Sequence, residues 1–308
     1  MSEQARYVGI EIGGTKLQIV SGSTGGKIIQ RWRFEVEVEQ GGAGIRRILE
    51  QKLPAICREI PALEALGVGF GGPVDWQQGS IACSHQIAGW SGFQLAPWLE
   101  SLVSRPVVVD NDANTAALGE ALAGAGRNFN PVFYVTMGSG VGGGLAVNGR
   151  IYHGAKPGES ELGHVRLDRS GAIVESRCSG WAVDAKIRRL NASHPECLLA
   201  RLCGAASRGE ARFLAQACAA GDEFAWQILN ETAEDLAFAL AHVIHLLHPE
   251  IIILGGGLSL VGETLRAAVA SRITPFIMEI FHPSPKIVLA GLGEDAVPVG
   301  ALLLAGQK

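Results

Sequence analysis

The chain has 308 residues, of which 47% are hydrophobic and 18% are charged. There is enough apolar surface to form a core, which excludes a disordered chain. A net charge of −4 and an isoelectric point of about 6.1 argue against a nucleic-acid-binding protein. The six cysteines include no C-x-x-C pair and indicate ordinary thiols. No targeting or membrane-spanning stretch is found, so we expect a cytoplasmic protein.

The apolar pattern alternates strands and helices along the chain. The first half is predicted to contain strands over 7–12, 17–20, 27–38, 65–70 and 107–110, and helices over 45–59 and 112–123, with Asp112 as a cap. The second half is predicted to contain strands over 131–137, 145–147 and 251–254, and helices over 224–247 and 297–305. A strand–glycine–strand unit occurs twice, with turns at Gly13–Gly14 and Gly138–Gly144. The pattern therefore predicts two related α/β halves rather than one doubly wound sheet.

Two of the glycine turns have the chemistry of phosphate binding. Gly13, Gly14, Thr15 and Lys16 follow a buried strand and offer backbone N–H groups, a hydroxyl and a charge, although a plain hairpin turn explains them equally well. The stretch Gly138–Gly143 contains the letters G-x-G-x-x-G, but a strand follows it instead of a helix. We therefore reject a dinucleotide-binding fingerprint and interpret it as a second phosphate-binding hairpin.

Two further segments end buried strands with residues suited to ligand contact. Gly255–Gly257 follows the strand over 251–254, where a flat ligand such as adenine can rest on the backbone; the alternative is a strand-to-helix turn. Asp110–Asn111–Asp112 lies at a strand-to-helix junction, where a carboxylate serves as a helix cap or as a general base toward a hydroxyl.

Glu161 and His164 form an E-x-x-H pair, and Glu175 follows eleven residues after His164. A di-iron centre needs a second such pair, and a zinc peptidase needs H-E-x-x-H; neither is present in the sequence. Hydrogen bonding to a polyol is the interpretation that remains for these side chains.

Together these segments resemble the ROK family of sugar kinases. The motifs run in family order along nearly the whole chain: IEIGGTK (10–16), GFGGPVD (69–75), VVVDNDANTAALGE (107–120), VTMGSGVGGGLAVNGRIYHG (135–154), GESELGHV (158–165) and IIILGGGLS (251–259). The resemblance implies an α/β, actin-like (ribonuclease-H-like) fold of two lobes with ATP and sugar in the cleft between them. We place the small lobe at 1–111, joined by the helix 296–308, and the large lobe at 112–295.

The resemblance also implies the roles of individual residues. Asp112 matches the catalytic base. The residues implied in sugar binding are Asn111, Glu161, His164, Glu175 and Gly72. The residues implied in ATP and phosphate binding are Gly13, Gly14, Thr15, Lys16, Thr136, Gly138, Ser139, Gly140, Gly255, Gly256 and Gly257. Glu11 is implied near Mg²⁺, in contact or through a water molecule.

The sequence departs from the family pattern in three places. Glu11 stands where an Asp is usual, so the carboxylate is one methylene longer. Many members carry a cysteine-rich zinc loop between the G-H pair and the following Glu, whereas 165–174 contains no cysteine, so we predict no zinc site. At 85–90, His85 or Gln86 occupies the place of a usual Asn, and Trp90 is a candidate sugar-facing residue.

The predicted activity is transfer of the γ-phosphoryl group of ATP to a hexose hydroxyl, at C6 of glucose. Fructose, mannose or an N-acetylhexosamine are alternative acceptors, and polyphosphate is an alternative donor. A non-catalytic sugar sensor on the same fold is the alternative from another class. We expect a homodimer that binds neither nucleic acid nor a membrane. The family's repressors carry an N-terminal helix-turn-helix module, and the first hairpin at residue 13 leaves no room for one.

Overall fold

The computed structural model describes residues 4–14, 16–84, 88–156 and 160–307, which form two compact units. The first unit comprises Met1–Asn128, Gly144–Ser160 and Gly291–Lys308, and the second comprises Phe129–Gly143 and Glu161–Ala290. Within the described residues, no helix combines the length and the hydropathy needed to cross a bilayer.

The elements follow the chain in the predicted alternation. Those before residue 130 are β1 (Tyr7–Ile12), β2 (Lys16–Gly22), β3 (Ile28–Glu35), α1 (Gly41–Arg58), β4 (Ala65–Phe70), β5 (Val74–Asp75), β6 (Ser80–Ile81), α2 (Leu95–Val103), β7 (Val107–Asn111) and α3 (Asp112–Ala123). Those after it are β8 (Val132–Met137), β9 (Val141–Val147), β10 (Arg150–Ile151), α4 (Val174–Cys178), α5 (Gly180–Ser193), α6 (Leu198–Cys203), α7 (Leu214–Ala219), α8 (Glu223–Leu247), β11 (Ile251–Gly255), α9 (Glu263–Ile273), β12 (Lys286–Leu289) and α10 (Ala296–Ala305).

Two five-stranded sheets of the described residues share one plan. Their strand orders are β3-β2-β1-β4-β7 and β10-β9-β8-β11-β12. In each sheet the outer pair is antiparallel, β2 with β3 and β9 with β10. The other three strands are parallel, β1, β4 and β7 in one and β8, β11 and β12 in the other. The fold is therefore α/β with mixed sheets, and the repeated order confirms the predicted duplication.

Helices cover both faces of the first sheet. Val8, Ile10 and Ile12 of β1 belong to one core cluster with Ile45, Leu49 and Leu53 of α1. On the other face, Tyr7 and Val20 pack with Leu302 and Ala305 of α10. Alternate residues of one strand thus reach opposite cores, which explains why β1 is a continuous buried run rather than an apolar–polar alternation.

Glycines bring α10 close to α3 and β4. A Cβ atom at Gly300 would lie 1.8 Å from Thr115 O, and one at Gly67 would lie 1.9 Å from Ala301 O. A Cβ atom at Gly119 would lie 2.5 Å from Ala296 O. These distances are shorter than any real contact, so the three positions require glycine for packing.

The buried carboxylate of Glu120, near the end of α3, forms hydrogen bonds with the segment before α10. Its Oε2 accepts hydrogen bonds from Ala125 N (2.7 Å) and Gly291 N (3.0 Å), and its Oε1 accepts one from Leu292 N (2.8 Å). A fully buried carboxylate needs such partners. Helices α3 and α10 both fall in the first unit, whereas the predicted boundary at residue 112 places α3 in the large lobe.

The predicted elements differ from the structure at two glycine-rich places. Helix α1 begins at Gly41 rather than at residue 45, because Gly42 packs against Trp90: a Cβ atom there would lie 2.9 Å from Trp90 Nε1. The predicted turn Gly138–Gly144 is too long, since β9 already begins at Val141. Gly144 lies within this strand and lets it approach Ala113 O, which a Cβ atom would meet at 2.5 Å.

Candidate active site

The junction of β7 and α3 carries the candidate base. Asn111 is the N-cap of α3, and its Oδ1 accepts hydrogen bonds from Ala113 N (2.8 Å) and Asn114 N (3.2 Å). The prediction that Asp112 caps the helix is therefore wrong: Asn111 has the extended backbone conformation of a cap, and Asp112 is the first helical residue. Its side chain is partly exposed, whereas Asn111 is buried.

Several predicted site residues of the first unit meet at the carboxyl ends of β1, β4 and β7. Asn111 Nδ2 donates to Gly72 O (3.2 Å), and Gly71 N donates to Ile12 O (2.8 Å). A Cβ atom at Gly71 would lie 3.5 Å from Asp112 Oδ2 and 3.6 Å from Gly13 Cα. The glycines keep this space narrow and free of side chains. This edge is where open α/β sheets bind ligands.

Glu11 lies in β1 with two polar partners on β2. Its Oε2 is 3.3 Å from Lys16 Nζ and accepts a hydrogen bond from Gln18 Nε2. Gln18 is fully buried, and its Oε1 accepts a hydrogen bond from Arg31 Nη1 (3.1 Å). The predicted phosphate residue Thr15 lies outside the described residues, as do His85 and Gln86.

In the second unit, the turn between β8 and β9 presents the second glycine cluster. Gly138 N donates to Gly140 O (2.9 Å), and Gly180 N, at the start of α5, donates to Gly138 O (2.8 Å). A Cβ atom at Gly138 would meet nothing within 4 Å, so this backbone faces open space. In the parallel pair of β8 and β11, Thr136 lies beside Gly255, which brings two predicted phosphate-binding and nucleotide-binding segments to one sheet edge.

The three glycines Gly255–Gly257, the first of which ends β11, differ in their surroundings. A Cβ atom at Gly255 would lie 2.1 Å from Tyr134 Oη, and one at Gly256, where φ is +78°, would lie 2.5 Å from Met137 N. Packing and backbone conformation therefore already require glycine at these two positions. A Cβ atom at Gly257 would meet nothing within 4 Å. Gly257 is thus the position of this cluster at which a ligand has access to the backbone.

Glu175 is held against the same glycine turn. Its Oε2 accepts a hydrogen bond from Val141 N (3.0 Å) and lies 2.3 Å from where a Cβ atom of Gly140 would be. Gly163 packs beside it, since a Cβ atom there would lie 3.5 Å from Glu175 Cβ and 2.2 Å from Val141 O. The structure therefore brings the one-turn helix Leu162–His164 beside Glu175, with Glu161 and His164 exposed.

The segment between His164 and Glu175 is a hairpin held by one aspartate. Asp168 Oδ1 accepts hydrogen bonds from Ser170 Oγ (2.6 Å), Gly171 N (3.0 Å) and Ala172 N (3.2 Å). These bonds, led by that from Ser170, hold the pKa of Asp168 below its usual value. Arg166 pairs with Ile173 across the hairpin. Hydrogen bonds of the chain itself thus order the loop that fixes the spacing of His164 and Glu175.

The residues around this hairpin do not fit a zinc ion. The thiol of Cys178 is fully buried and donates to Thr232 O (3.8 Å), and burial raises its pKa to about 12, whereas zinc binds the thiolate. Among residues 4–14, 16–84, 88–156 and 160–307, no group of three or more His, Cys, Asp and Glu side chains is arranged to hold a metal ion. The absence of a zinc site stays a prediction.

Cysteine reactivity is expected to follow burial. Cys83 is partly exposed, and the other five cysteines are buried; burial raises the pKa of Cys57 and Cys218 to about 11. Treatment of the native chain with iodoacetamide at pH 8 should label Cys83 at least about tenfold faster than the buried thiols, as measured by peptide mass spectrometry. The chain unfolded in guanidinium is the control and should be labelled at all six. Early labelling of Cys178 in the native chain would contradict its burial.

Trp90 and His153 lie in surroundings that the sequence alone did not indicate. Trp90 is fully buried, with edge-on contacts to Phe70 and Phe93, so the sugar-facing role considered for it is wrong. His153, to which no role was assigned, lies 2.6 Å from Asp110 through its Nε2. The two residues are 43 positions apart, and no local pattern links them.

Comparison with known proteins gives the family of this chain. The ROK family pattern matches residues 7–308. The glucokinase of Thermotoga maritima is 31% identical over 98% of both chains, and that of Halalkalibacterium halodurans is 31% identical over 98% of this chain and 95% of its own. The structure of a ROK family glucokinase from Streptomyces griseus, in complex with glucose and AMPPNP, matches with a TM-score of 0.85 and 28% identity, over 98% of this chain and 99% of that one.

The chain therefore belongs to the ROK family, and its likeness to glucokinases along almost its whole length supports the enzyme class of a sugar kinase, that is, a phosphotransferase.

Proposed function

We propose that the chain transfers the γ-phosphoryl group of ATP to the C6 hydroxyl of glucose. The observation that carries the proposal is the β7–α3 junction, where Asp112 is partly exposed at a helix start beside Gly71 and Gly13. A carboxylate at the first turn of a helix is stabilised in its ionised form and can accept a proton. The ligands of the S. griseus glucokinase structure, glucose and AMPPNP, support the choice of substrates.

In the proposed reaction, Asp112 accepts the proton of the C6 hydroxyl while the sugar oxygen attacks the γ-phosphorus in line. The bond between the γ-phosphorus and the bridging oxygen breaks, and ADP leaves. The protein contributes positioning and charge stabilisation rather than covalent chemistry. Asn111, whose amide is fixed by Ala113 N, Asn114 N and Gly72 O, orients the sugar.

We further assign contacts with the sugar and the nucleotide to residues of the second unit. We assign Glu161, His164 and Glu175 to the sugar hydroxyls, for which carboxylate and imidazole groups are suitable partners; Glu161 and His164 are exposed, and Glu175 is partly exposed. The open backbone at Gly138 and Gly257 is assigned to the phosphates and the adenosine end. Thr136, Ser139, Gly140, Gly255 and Gly256 shape these turns.

Mg²⁺ supplies neutralisation of phosphate charge when it is bound with ATP. Glu11 fits a role near the ion, because Mg²⁺ keeps several waters and needs only one or two protein carboxylates. Its carboxylate already contacts Lys16 and Gln18. We therefore assign Glu11 to the ion through a water molecule, and Lys16 to the phosphates. The longer side chain at this position is accommodated by the partners on β2.

An ADP-release assay tests the proposal. Wild-type enzyme with Mg-ATP is tested against glucose, mannose, fructose and N-acetylhexosamines, and the product is identified by NMR. Glucose should give the highest kcat/KM and a 6-phosphate, and 6-deoxyglucose should give no ADP above background. Phosphorylation of 6-deoxyglucose would contradict the C6 assignment. Sugar binding without ADP release for every sugar would contradict the kinase and support the alternative, a non-catalytic sensor.

The remaining parts of the proposal follow the family resemblance. An actin-like, two-lobed arrangement of the two α/β units and a homodimer stay predictions. Replacement of ATP by polyphosphate in the same assay tests the donor, for which ATP is expected.

A further inference from the structure

Asp110 precedes the candidate base by two residues, and both of its carboxylate oxygens have hydrogen-bond partners. It is 2% exposed. Its Oδ1 accepts hydrogen bonds from Asn111 N (2.8 Å) and Asn114 Nδ2 (3.0 Å), and its Oδ2 lies 2.6 Å from His153 Nε2. Because a carboxylate has acceptors and no donor, this contact assigns the proton to Nε2 of His153, which donates to Oδ2. Asp110 thus links the imidazole to the backbone of Asn111.

A second contact fixes the imidazole ring. The ring of His153 stacks on the indole of Trp76, with ring centres 4.1 Å apart and an angle of 13° between the planes. Three residues further on, Lys156 Nζ lies 2.9 Å from Asp75 Oδ1. That pair is more exposed, and a surface ion pair contributes little. The stack and the bond to Asp110 are therefore the main anchors of this segment.

We propose that His153 is a positioning residue: through Asp110 it fixes the backbone of Asn111 and so the orientation of Asn111 and Asp112. This inference rests on the proposed function, in which those two residues orient the sugar and accept its proton. Without the imidazole donor, Asp110 Oδ2 is a buried acceptor with a lost partner, and the carboxylate turns toward water. Asn111 N then loses its acceptor, and the first turn of α3 loosens. Displacement of a catalytic group by about 1 Å lowers the rate by about 100-fold.

The variant His153→Phe isolates the hydrogen bond, because phenylalanine keeps an aromatic ring for the stack on Trp76 and lacks the N–H donor. A matched control is His194→Phe. His194 also stacks on an aromatic ring, that of Phe224 at 4.3 Å, and lies 3.6 Å from a carboxylate oxygen of Glu196. We expect His153→Phe to lower kcat by about 10- to 100-fold and to leave KM for ATP within about twofold. The control should keep wild-type kinetics.

Rescue by a conservative variant separates positioning from simple packing. The amide of His153→Gln can take the place of Nε2–H toward Asp110, although it lacks the ring. We expect kcat of His153→Gln to be about 3- to 10-fold higher than that of His153→Phe, and still below that of wild type. Equal losses in both variants would overturn the proposal in favour of a packing role. Wild-type kinetics in His153→Phe would overturn it outright.

A readout without turnover keeps the inference separate from the proposed function. Hydrogen exchange of the peptide 107–118 reports the amides of Asn111, Ala113 and Asn114 directly. We expect faster exchange there in His153→Phe than in wild type or His194→Phe, with Tm lowered by only a few degrees, because one buried acceptor has lost its partner while the chain stays folded. Unchanged exchange would overturn the inference. A wild-type enzyme inactive on every sugar would instead contradict the proposed function, and the exchange data would still decide the role of His153.

Discussion

Replacement of Asp112 by asparagine should lower kcat for sugar phosphorylation by about 1,000-fold, because a positioned general base contributes about 10²- to 10⁴-fold. The substitution removes one proton acceptor and keeps size and polarity. The helix stays capped, because the cap is Asn111 rather than Asp112. KM for sugar and for ATP should therefore stay within about threefold, and Tm should be unchanged. Steady-state kinetics with Mg-ATP and thermal unfolding measure the two effects.

Asp222→Asn is the matched control for this experiment. Asp222 is the N-cap of α8, where its Oδ1 accepts a hydrogen bond from Ala225 N (3.0 Å), and no function is assigned to it. Asparagine is an equally good cap, although its Nδ2 cannot replace Oδ2 as the acceptor for Leu199 N (2.8 Å), so the control should keep its kcat per folded molecule. Near-normal phosphorylation by Asp112→Asn would refute the assignment of the base. A large fall in Tm with no change in kcat per folded molecule would do so as well.

Replacement of Gly300 by alanine should destabilise the first unit by about 3 kcal/mol, the upper part of the range for overpacking. The expected change in the free energy of unfolding has the opposite sign to the usual one, because alanine in a helix interior is normally favoured over glycine by about 1 kcal/mol. Here the added Cβ atom would lie 1.8 Å from Thr115 O and 2.6 Å from Thr115 C, which are backbone atoms of α3. Because the contact is with backbone atoms, the clash is relieved only if helix α10 or helix α3 shifts as a whole.

Thermal and denaturant unfolding of Gly300→Ala measure this effect; each kcal/mol corresponds to about 2–4 °C in Tm for a unit of this size. Gly306→Ala, just after the end of α10, is the matched control. A Cβ atom there would meet its nearest atom at 3.3 Å, an aromatic carbon of Tyr7, so a change below about 1 kcal/mol is expected. Equal stability of the two variants would show that α10 does not pack on α3 as the structure has it.

The local elements could be predicted closely from the sequence. Strands β1 (7–12) and β4 (65–70) and helix α3 (112–123) have the predicted bounds. The bounds of each element depend on features within a few residues of the chain: the apolar periodicity, the strong helix formers, and the glycines that end a strand or helix. The elements between residues 174 and 219 were not foreseen. Three of them, α4, α6 and α7, are helices of five or six residues, whose apolar pattern extends over too few turns to be recognised, whereas α5 has 14 residues and was missed despite its length.

The candidate site was predictable as a set of segments but not as an arrangement. The duplicated strand–glycine–strand unit and the ordered motifs led to Asp112, Glu161, His164 and Glu175. The structure adds that Glu175 lies against Gly140, which no spacing in the sequence indicates. It also corrects the cap from Asp112 to Asn111, because both residue types suit a cap and the backbone conformation selects between them.

The sequence by itself determined the family, the alternation of strands and helices, and the glycine clusters at 13–14, 138–144 and 255–257. The tertiary structure decided the reason for each glycine: Gly300 is required by α3, Gly255 by Tyr134, and Gly257 faces open space. It likewise paired His153 with Asp110 and buried Trp90 in the core. Propensity, caps and periodicity act between neighbours in the chain, so they are readable in the sequence. Contacts between residues far apart in the chain depend on how whole elements pack, and these contacts hold the candidate base in place.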